Sequence, residues 1–301
     1  MNRPRVLLTG ATGFIARALI PRLLDQADVT LLLLEEFGSG APLPATVRAV
    51  RSRVDAVYAD LRNYQLTARA VRQARPDRVI HLAAVGVDDP FLSVSTALSH
   101  NVSGTINLLR ACFEADGLDV QQLITARTPG ERSAMNVYAA SKAAAWAFGE
   151  MYARTAGWPI HGAMIYQTYG PEQPPNFFIP SALRAARAGE EFPMTTGTQE
   201  KDWIHVDDVV GGFLATLGAD LPPGETVELG CGRSVSLLAV AHQLYDLTGK
   251  GGRPRPGALP SRPGEEPQQI ADAERTAALI GWRAGISLND GLARLVNSPG
   301  G

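Results

Sequence analysis

The 301-residue chain has 45% hydrophobic and 19% charged residues, a composition that predicts one large folded domain or a main domain with a smaller one. A net charge of −2 indicates no basic face for nucleic acid, and two cysteines are too few for a disulfide framework. The sequence begins without a signal peptide and has no apolar stretch near the roughly 20 residues of a membrane span. We therefore expect a soluble, cytoplasmic protein that binds neither nucleic acid nor membranes.

Short apolar segments alternate with helical patterns along the first 170 residues. The segments of strand length are residues 5–9, 28–34, 54–58, 78–82, 122–126 and 160–166, and the first helix is predicted over residues 14–26. Apolar strands separated by helices predict an α/β fold with a parallel sheet buried on both faces, and right-handed crossovers make that sheet doubly wound. After about Gly170 the alternation weakens, which predicts a smaller, mostly helical region.

A glycine-containing turn with the sequence T-G-A-T-G-F-I-A joins the first strand to the first helix. Gly10 permits a sharp turn, and Gly13 permits close approach to a pyrophosphate at the helix N-terminus, where free N–H groups and the helix dipole favour anions. A tight turn without a ligand is the alternative. The residues predicted to bind a dinucleotide here are Gly10, Thr12, Gly13, Phe14 and Ile15.

Further motifs follow in order: HLAA at residues 81–84, NVSGT at 101–105, YAASK at 138–142, YGP at 169–171 and WIHVDD at 203–208. With the glycine turn, they make nearly the whole chain resemble the extended short-chain dehydrogenase/reductase family, epimerase/dehydratase type. The resemblance implies a dinucleotide-binding Rossmann domain over residues 1–168, to which residues 202–230 return. It also implies a substrate-binding or lid domain over residues 169–201 and 231–301.

The resemblance further implies which residues contact the dinucleotide. Asp60 would bind the adenine amino group, although an Asp at a strand end could equally cap a helix. The other implied cofactor contacts are Leu61, Leu82, Ala83, Ala84, Asn101, Lys142 and Tyr166.

The end of the second strand bears on the choice of dinucleotide. An acidic side chain there binds an unphosphorylated ribose and repels a 2′-phosphate. Leu33 and Leu34 occupy this place, and Glu35 and Glu36 come later. The pattern favours NADP(H), while NAD(H) stays open because either glutamate could reach back.

Tyr138 and Lys142 stand four positions apart, which places both on one face of a helix. A tyrosine with a pKa near 10 exchanges protons poorly at neutral pH, so we expect the lysine ammonium to lower the pKa of the phenol. In the family that the chain resembles, this pair transfers the proton, and the lysine also binds the nicotinamide ribose.

The same family uses a Ser or Thr hydroxyl after the preceding strand as a third catalytic group. Thr128 stands at this place, but Pro129 follows it, and Tyr138 comes only ten positions later, a shorter loop than the family normally has. If Thr128 is displaced, Ser93 or Ser95 could supply the hydroxyl; both are also typical of loops and helix caps.

Apolar side chains dominate the segment expected to contact substrate. These residues, which could equally belong to a core, are Phe177, Phe178, Ile179, Phe192 and Met194. A flat, apolar ligand would bind such a wall by burial and ring stacking. The 28 basic residues include only three lysines, a bias typical of high-GC genomes such as those of actinobacteria.

We therefore expect an NADPH-dependent ketoreductase that reduces a carbonyl of a bulky aromatic polyketide in antibiotic biosynthesis, as a monomer or a homodimer. Either Tyr138 or the substrate's own acidic hydroxyl would supply the proton. Two alternatives stay open. One is a nucleotide-sugar epimerase or dehydratase with tightly bound NAD, and the other is a dinucleotide-sensing protein without catalysis. The five histidines show no ligand spacing, so no metal is expected.

Overall fold

The computed structural model describes residues 3–87, 89, 91–261 and 264–298. Within these ranges the strands are β1 (Arg5–Thr9), β2 (Asp28–Leu33), β3 (Asp55–Tyr58), β4 (Arg78–His81), β5 (Gln122–Arg127), β6 (Ile160–Ile165), β7 (Gln167–Tyr169), β8 (Phe192–Pro193), β9 (Glu200–His205), β10 (Thr226–Leu229), β11 (Ser234–Ser236), β12 (Pro254–Arg255) and β13 (Gln268–Gln269). The helices are α1 (Phe14–Leu23), α2 (Glu35–Gly38), α3 (Ala45–Ala49), α4 (Tyr64–Ala74), α5 (Val94–Ala97), α6 (Gly104–Phe113), α7 (Val137–Ala156), α8 (Phe178–Ala188), α9 (Val206–Gly218), α10 (Leu237–Thr248), α11 (Ala273–Ile280) and α12 (Leu288–Asn297).

All six predicted strands form a single sheet together with β10, in the order β10-β6-β5-β4-β1-β2-β3. The pairings from β6 through β3 are parallel. Thr9 at the end of β1 lies between His81 of β4 and Leu32 of β2, so the carboxyl ends of the central strands meet where the chain order reverses. The predicted Rossmann-like fold is therefore confirmed, and the six predicted strands lie within one residue of the observed bounds.

The described residues up to Met164, with Phe213–Val227, form one compact unit. In its core, Val71 of α4, Leu108 of α6 and Trp146 of α7 belong to one buried cluster with the strand residues Leu7 and Leu123. Each buried apolar side chain of this size contributes about 2 kcal/mol through removal from water. This packing holds the strand ends from which the candidate site is built.

Ile165–Gly212 and the described residues from Glu228 onward form the second unit. Here β9 pairs antiparallel with β11 and parallel with β7 and β13, and helices α8, α10 and α12 contribute to the core. Residues 165–168, 202–212 and 228–230, expected in the first domain, fall in this unit, where β7 and β9 pair with each other.

Candidate active site

The turn after β1 leaves backbone groups open at the start of α1. Gly10 has a φ of +69°, and a Cβ atom there would lie 2.6 Å from the backbone nitrogen of Ala83. The N–H of Gly13 donates to the carbonyl of Gly10 over 2.9 Å, and Gly13 precedes α1 without a side-chain cap. An anion such as a pyrophosphate fits these uncapped amides. The other predicted residues of the turn, which are half-buried, are Thr12, Phe14 and Ile15.

A buried hydrogen-bond chain fixes this turn to the neighbouring strand. Thr105 donates its hydroxyl proton to the carbonyl of Asn101 over 2.6 Å and lies 2.9 Å from Nε2 of His81, so Nε2 must donate. Nδ1 of His81 then accepts the hydroxyl of Thr9 over 2.7 Å. Oγ1 of Thr9 in turn accepts the N–H of Ala83 over 3.2 Å. A neutral His81 therefore aligns the glycine turn with the loop after β4.

Asn101 lies in a π-helical turn, Leu98–Ser103, and its side chain holds that same loop. Its Oδ1 accepts the N–H of Val85 over 2.9 Å, and its Nδ2 donates to the carbonyl of Val85 over 3.0 Å and to Oγ of Ser141 over 2.9 Å. Oγ of Ser141 donates to the carbonyl of Tyr138 over 2.7 Å. Such π turns often mark functional sites. The predicted cofactor contacts in the loop tied down by Asn101 are Leu82, Ala83 and Ala84.

Tyr138 and Lys142 lie at the start of α7, where Oδ1 of Asn136 caps the helix by accepting the N–H of Ala139 over 2.8 Å. Burial lowers the pKa of Lys142 to about 8, although the carboxylate of Glu131 acts in the opposite direction. Burial, and then the same carboxylate, raise the pKa of Tyr138 above its ordinary value. The expected lowering of the phenol pKa is therefore not found, because desolvation and a neighbouring anion prevail.

Thr128 follows β5 and begins a short 3₁₀ helix, Pro129–Arg132. Its side chain accepts the N–H of Glu131, and Oε1 of Glu131 accepts the N–H of Thr128 over 3.0 Å, which makes a capping box. Oε2 of Glu131 accepts Nε–H of Arg127 over 2.8 Å. Glu131 is not among the predicted site residues, although the T-x-x-E spacing is the signal that could have found it.

Ser95 is exposed in α5, and its hydroxyl lies 3.0 Å from the hydroxyl of Ser93. Ser93 caps α5, since its Oγ accepts the N–H of Thr96 over 3.1 Å. The contacts of both serines are those of a helix cap. The catalytic role predicted for Ser95 therefore gains no support from them.

The carboxylate of Asp60 binds the guanidinium of Arg62, with Oδ2 and Nη2 separated by 2.5 Å. The hydrogen bond from Arg62 lowers the pKa of Asp60. Asn63, not Asp60, caps α4, because its Oδ1 accepts the N–H of Leu66 over 3.2 Å. The cap alternative for Asp60 is therefore wrong, and the adenine contacts of Asp60 and Leu61 stay predictions.

The remaining predicted cofactor contact, Tyr166, belongs to the second unit, where it is buried. Its hydroxyl donates to Oε2 of Glu228 over 2.7 Å, and the same oxygen accepts the N–H of Asp272 over 2.8 Å. The cofactor contact of Tyr166 stays a prediction.

The apolar segment expected to line a substrate pocket packs inside the second unit instead. The ring centroid of Phe178 lies 5.7 Å from that of Phe192 and 5.8 Å from that of Trp203. Ile179 and Met194 are buried as well. These side chains belong to a core, which removes the structural argument for a flat aromatic ligand.

The described ranges contain no helix long and apolar enough to cross a membrane and no group of three His, Cys, Asp or Glu side chains arranged to hold a metal. The first unit instead combines an uncapped helix N-terminus, a buried lysine four positions after a tyrosine, and a threonine at the end of a central strand. A glycine turn of this shape suits a pyrophosphate, and a Tyr–Lys pair suits proton transfer. The arrangement is typical of the class of dinucleotide-binding Rossmann proteins.

The chain belongs to the NAD-dependent epimerase/dehydratase family, whose profile matches residues 6–230. It is 30% identical to the low-salt glycan biosynthesis protein Agl12 of Haloferax volcanii and 27% identical to the UDP-glucose 4-epimerase of Mycolicibacterium smegmatis, over 97% of both chains in each case. Among solved structures, the dTDP-glucose 4,6-dehydratase DesIV of Streptomyces venezuelae, with NAD and TYD bound, is 26% identical with a TM-score of 0.83. That match covers 97% of this chain and 95% of DesIV.

These findings correct the substrate prediction. The expected polyketide ketoreductase is wrong, because relatives such as the M. smegmatis protein and DesIV bear the names of a nucleotide-sugar epimerase and a nucleotide-sugar dehydratase. Members of the family are NAD-dependent enzymes of the extended short-chain dehydrogenase/reductase type. The predicted preference for NADP(H) also finds no support among the structural neighbours, several of which were solved with NAD.

Proposed function

We propose that the chain is an NAD-dependent enzyme that inverts a hydroxyl-bearing carbon of a nucleotide sugar. The observation that carries the proposal is the set of Tyr138, Lys142 and Thr128 within one compact unit that also contains the glycine turn. The names of the relatives, which include UDP-glucose 4-epimerases, support a sugar nucleotide as substrate.

When bound, NAD would supply reversible hydride transfer at the sugar carbon, so that no net oxidation results. Tyr138 takes the proton of the sugar hydroxyl as the hydride leaves and gives it back on return. In its ammonium form, Lys142 favours the phenolate of Tyr138. This effect opposes burial and the charge of Glu131, which raise the pKa of Tyr138. The hydroxyl of Thr128 donates a hydrogen bond to the sugar oxygen.

Epimerisation needs only this one redox centre, whereas loss of water needs an additional acid and base. Glu131 is the single carboxylate between Thr128 and Tyr138, and its two oxygens bind the N–H of Thr128 and the guanidinium of Arg127. A carboxylate engaged in this way is poorly placed to shuttle protons. Epimerisation is therefore the favoured reaction, and dehydration is the second outcome to be tested.

NAD is the proposed cofactor, in preference to NADP. Glu35 and Glu36 form the first turn of α2 directly after β2, and both are exposed. Their charges would repel a 2′-phosphate and can accept ribose hydroxyls. We expect NAD to bind more tightly than NADP in calorimetry, and a variant carrying Glu35→Gln and Glu36→Gln to lose most of this difference.

The function is tested by incubating the purified protein and NAD with UDP-glucose and dTDP-glucose and following the sugar by NMR. Appearance of the C4 epimer without loss of water supports the proposal. Formation of a 4-keto-6-deoxy sugar would show that the reaction is dehydration and not epimerisation. Recovery of both nucleotides unchanged would count against a glucose nucleotide as substrate. Absence of NAD binding would overturn the proposal as a whole.

A further inference from the structure

Arg127 and Glu131 form a buried ion pair in the same unit as Tyr138 and Lys142. Their side chains are 14% and 2% exposed, and Nη2 of Arg127 lies 2.8 Å from Oε2 of Glu131. Nη1 of Arg127 also donates to Oγ1 of Thr226 over 3.0 Å, and its guanidinium lies 4.2 Å from the ring centroid of Trp146. Because burying two charges costs about as much as their attraction returns, stability alone is a weak reason for such a pair.

The carboxylate of Glu131 divides its two oxygens between two tasks. Oε2 binds Arg127, while Oε1 accepts the N–H of Thr128 and closes the capping box. On the other side of the box, the hydroxyl oxygen of Thr128 accepts the N–H of Glu131. A hydroxyl that accepts in this way can still donate its own proton to a substrate oxygen. The box therefore sets the place from which Thr128 can donate.

We propose that Glu131 is a positioning residue of the reaction site, which fixes the Thr128 hydroxyl through the capping box and whose negative charge acts on Lys142 and Tyr138. The proposal rests on the function proposed above and names the residue that prepares the site for it.

The charged and titratable groups near Lys142 come from three elements. Glu131 of the 3₁₀ helix raises the pKa of Lys142, and Arg127 of β5 lowers it. His81 of β4 is neutral and itself responds to the charge of Lys142. The two members of the ion pair therefore act on Lys142 with opposite sign, and this provides the test.

The experiment compares Glu131→Gln with Arg127→Gln. Glutamine at position 131 can still close the capping box, so this variant loses the negative charge and keeps the geometry. The Arg127→Gln variant breaks the same ion pair but removes the positive charge. The readout is the proton exchange that accompanies NAD binding, measured by calorimetry from pH 6 to 10 in buffers of different ionisation enthalpy, with Lys142→Met to assign the Lys142 pKa.

We expect the Lys142 pKa to fall by about one unit in Glu131→Gln and to rise by a similar amount in Arg127→Gln. An ion pair that does not act on Lys142 predicts similar losses of stability with no opposite shifts of the Lys142 pKa, so shifts of the same sign, or none, would overturn the proposal. The readout needs NAD but no sugar. Failure of sugar turnover, which concerns the proposed function, is therefore distinguishable from failure of the positioning role.

A second comparison tests the capping box. Glu131→Ala removes both the charge and the box, so we expect kcat about tenfold below that of Glu131→Gln with a similar KM. Equal kcat values for the two variants would overturn the geometric part of the proposal.

Discussion

Nδ2 of Asn101 lies 2.9 Å from Oγ of Ser141, and this hydrogen bond joins the π-helical turn to the helix that carries Tyr138. Removing the Asn101 side chain leaves the N–H and carbonyl of Val85 and the hydroxyl of Ser141 without this partner. At about 1 kcal/mol for each group, Asn101→Ala should lower the free energy of unfolding by about 3 kcal/mol. Urea unfolding measures this, and Ser141→Ala, which removes one of the three contacts, should cost about 1 kcal/mol.

Substitutions at the two glycines of the turn should affect different properties, stability at Gly10 and ligand binding at Gly13. Alanine at position 10 would need a positive φ and would place its Cβ atom 2.6 Å from a backbone nitrogen, so Gly10→Ala should destabilise the protein by about 2 kcal/mol or more. Gly13 has a φ of −74°, and a Cβ atom there would lie 3.2 Å from one carbonyl oxygen. Gly13→Ala should therefore keep the stability within about 1 kcal/mol but weaken NAD binding at least tenfold.

Thermal unfolding and calorimetry on both variants check this separation. If Gly13→Ala binds NAD as tightly as the wild type, the pyrophosphate does not lie against this residue.

Stability should decrease in acid because His81 is neutral in the folded protein. Burial, and then the charge of Lys142, lower the pKa of His81 from 6.5 to about 3. Between these values the unfolded chain binds one more proton, so the contribution is complete above pH 6.5 and is lost as the pH falls. The loss is about 1.4 kcal/mol per pH unit, or about 2 kcal/mol at pH 5.

The free energies of unfolding of wild type and His81→Gln, measured in urea at pH 5, 6 and 7, test this linkage. We expect the variant to be less stable at pH 7. Its free energy of unfolding should also depend less steeply on pH, because one proton fewer is taken up on unfolding in acid. Parallel slopes would show that His81 does not carry the effect.

The elements that the sequence predicted best are those whose structure depends on a local pattern. Residues 5–9 are a strand as predicted, since a short apolar segment before a glycine turn leaves few alternatives, and α1 begins at Phe14 as predicted. The π turn around Asn101 depends on contacts with the loop after β4 and with α7, which no local pattern specifies. The pairing of Asp60 with Arg62 spans only two positions, but an Asp at a strand end is equally typical of a helix cap, so the sequence does not separate the two.

The substrate prediction failed because it too depended on contacts that the local sequence does not specify. Apolar residues such as Phe178 and Phe192 look alike in a core and in a pocket wall, and only the contact between their rings separates the two. Glu131 differs, because its T-x-x-E signature with Thr128 is a local pattern that is present in the sequence.

The last prediction concerns the proton carrier. Tyr138→Phe removes the hydroxyl and keeps the ring, so the fold and the affinity for NAD should be retained, while turnover of the nucleotide sugar should fall by about 10²- to 10⁴-fold. Tyr152→Phe is the matched control, because Tyr152 lies on the same helix but stacks on Trp158, with ring centroids 4.2 Å apart. The control should keep wild-type turnover. Because the phenol accepts the proton in the transition state, its removal in Tyr138→Phe should lower kcat more than it changes KM. Turnover within threefold of the wild type would mean that another group, or the substrate itself, moves the proton.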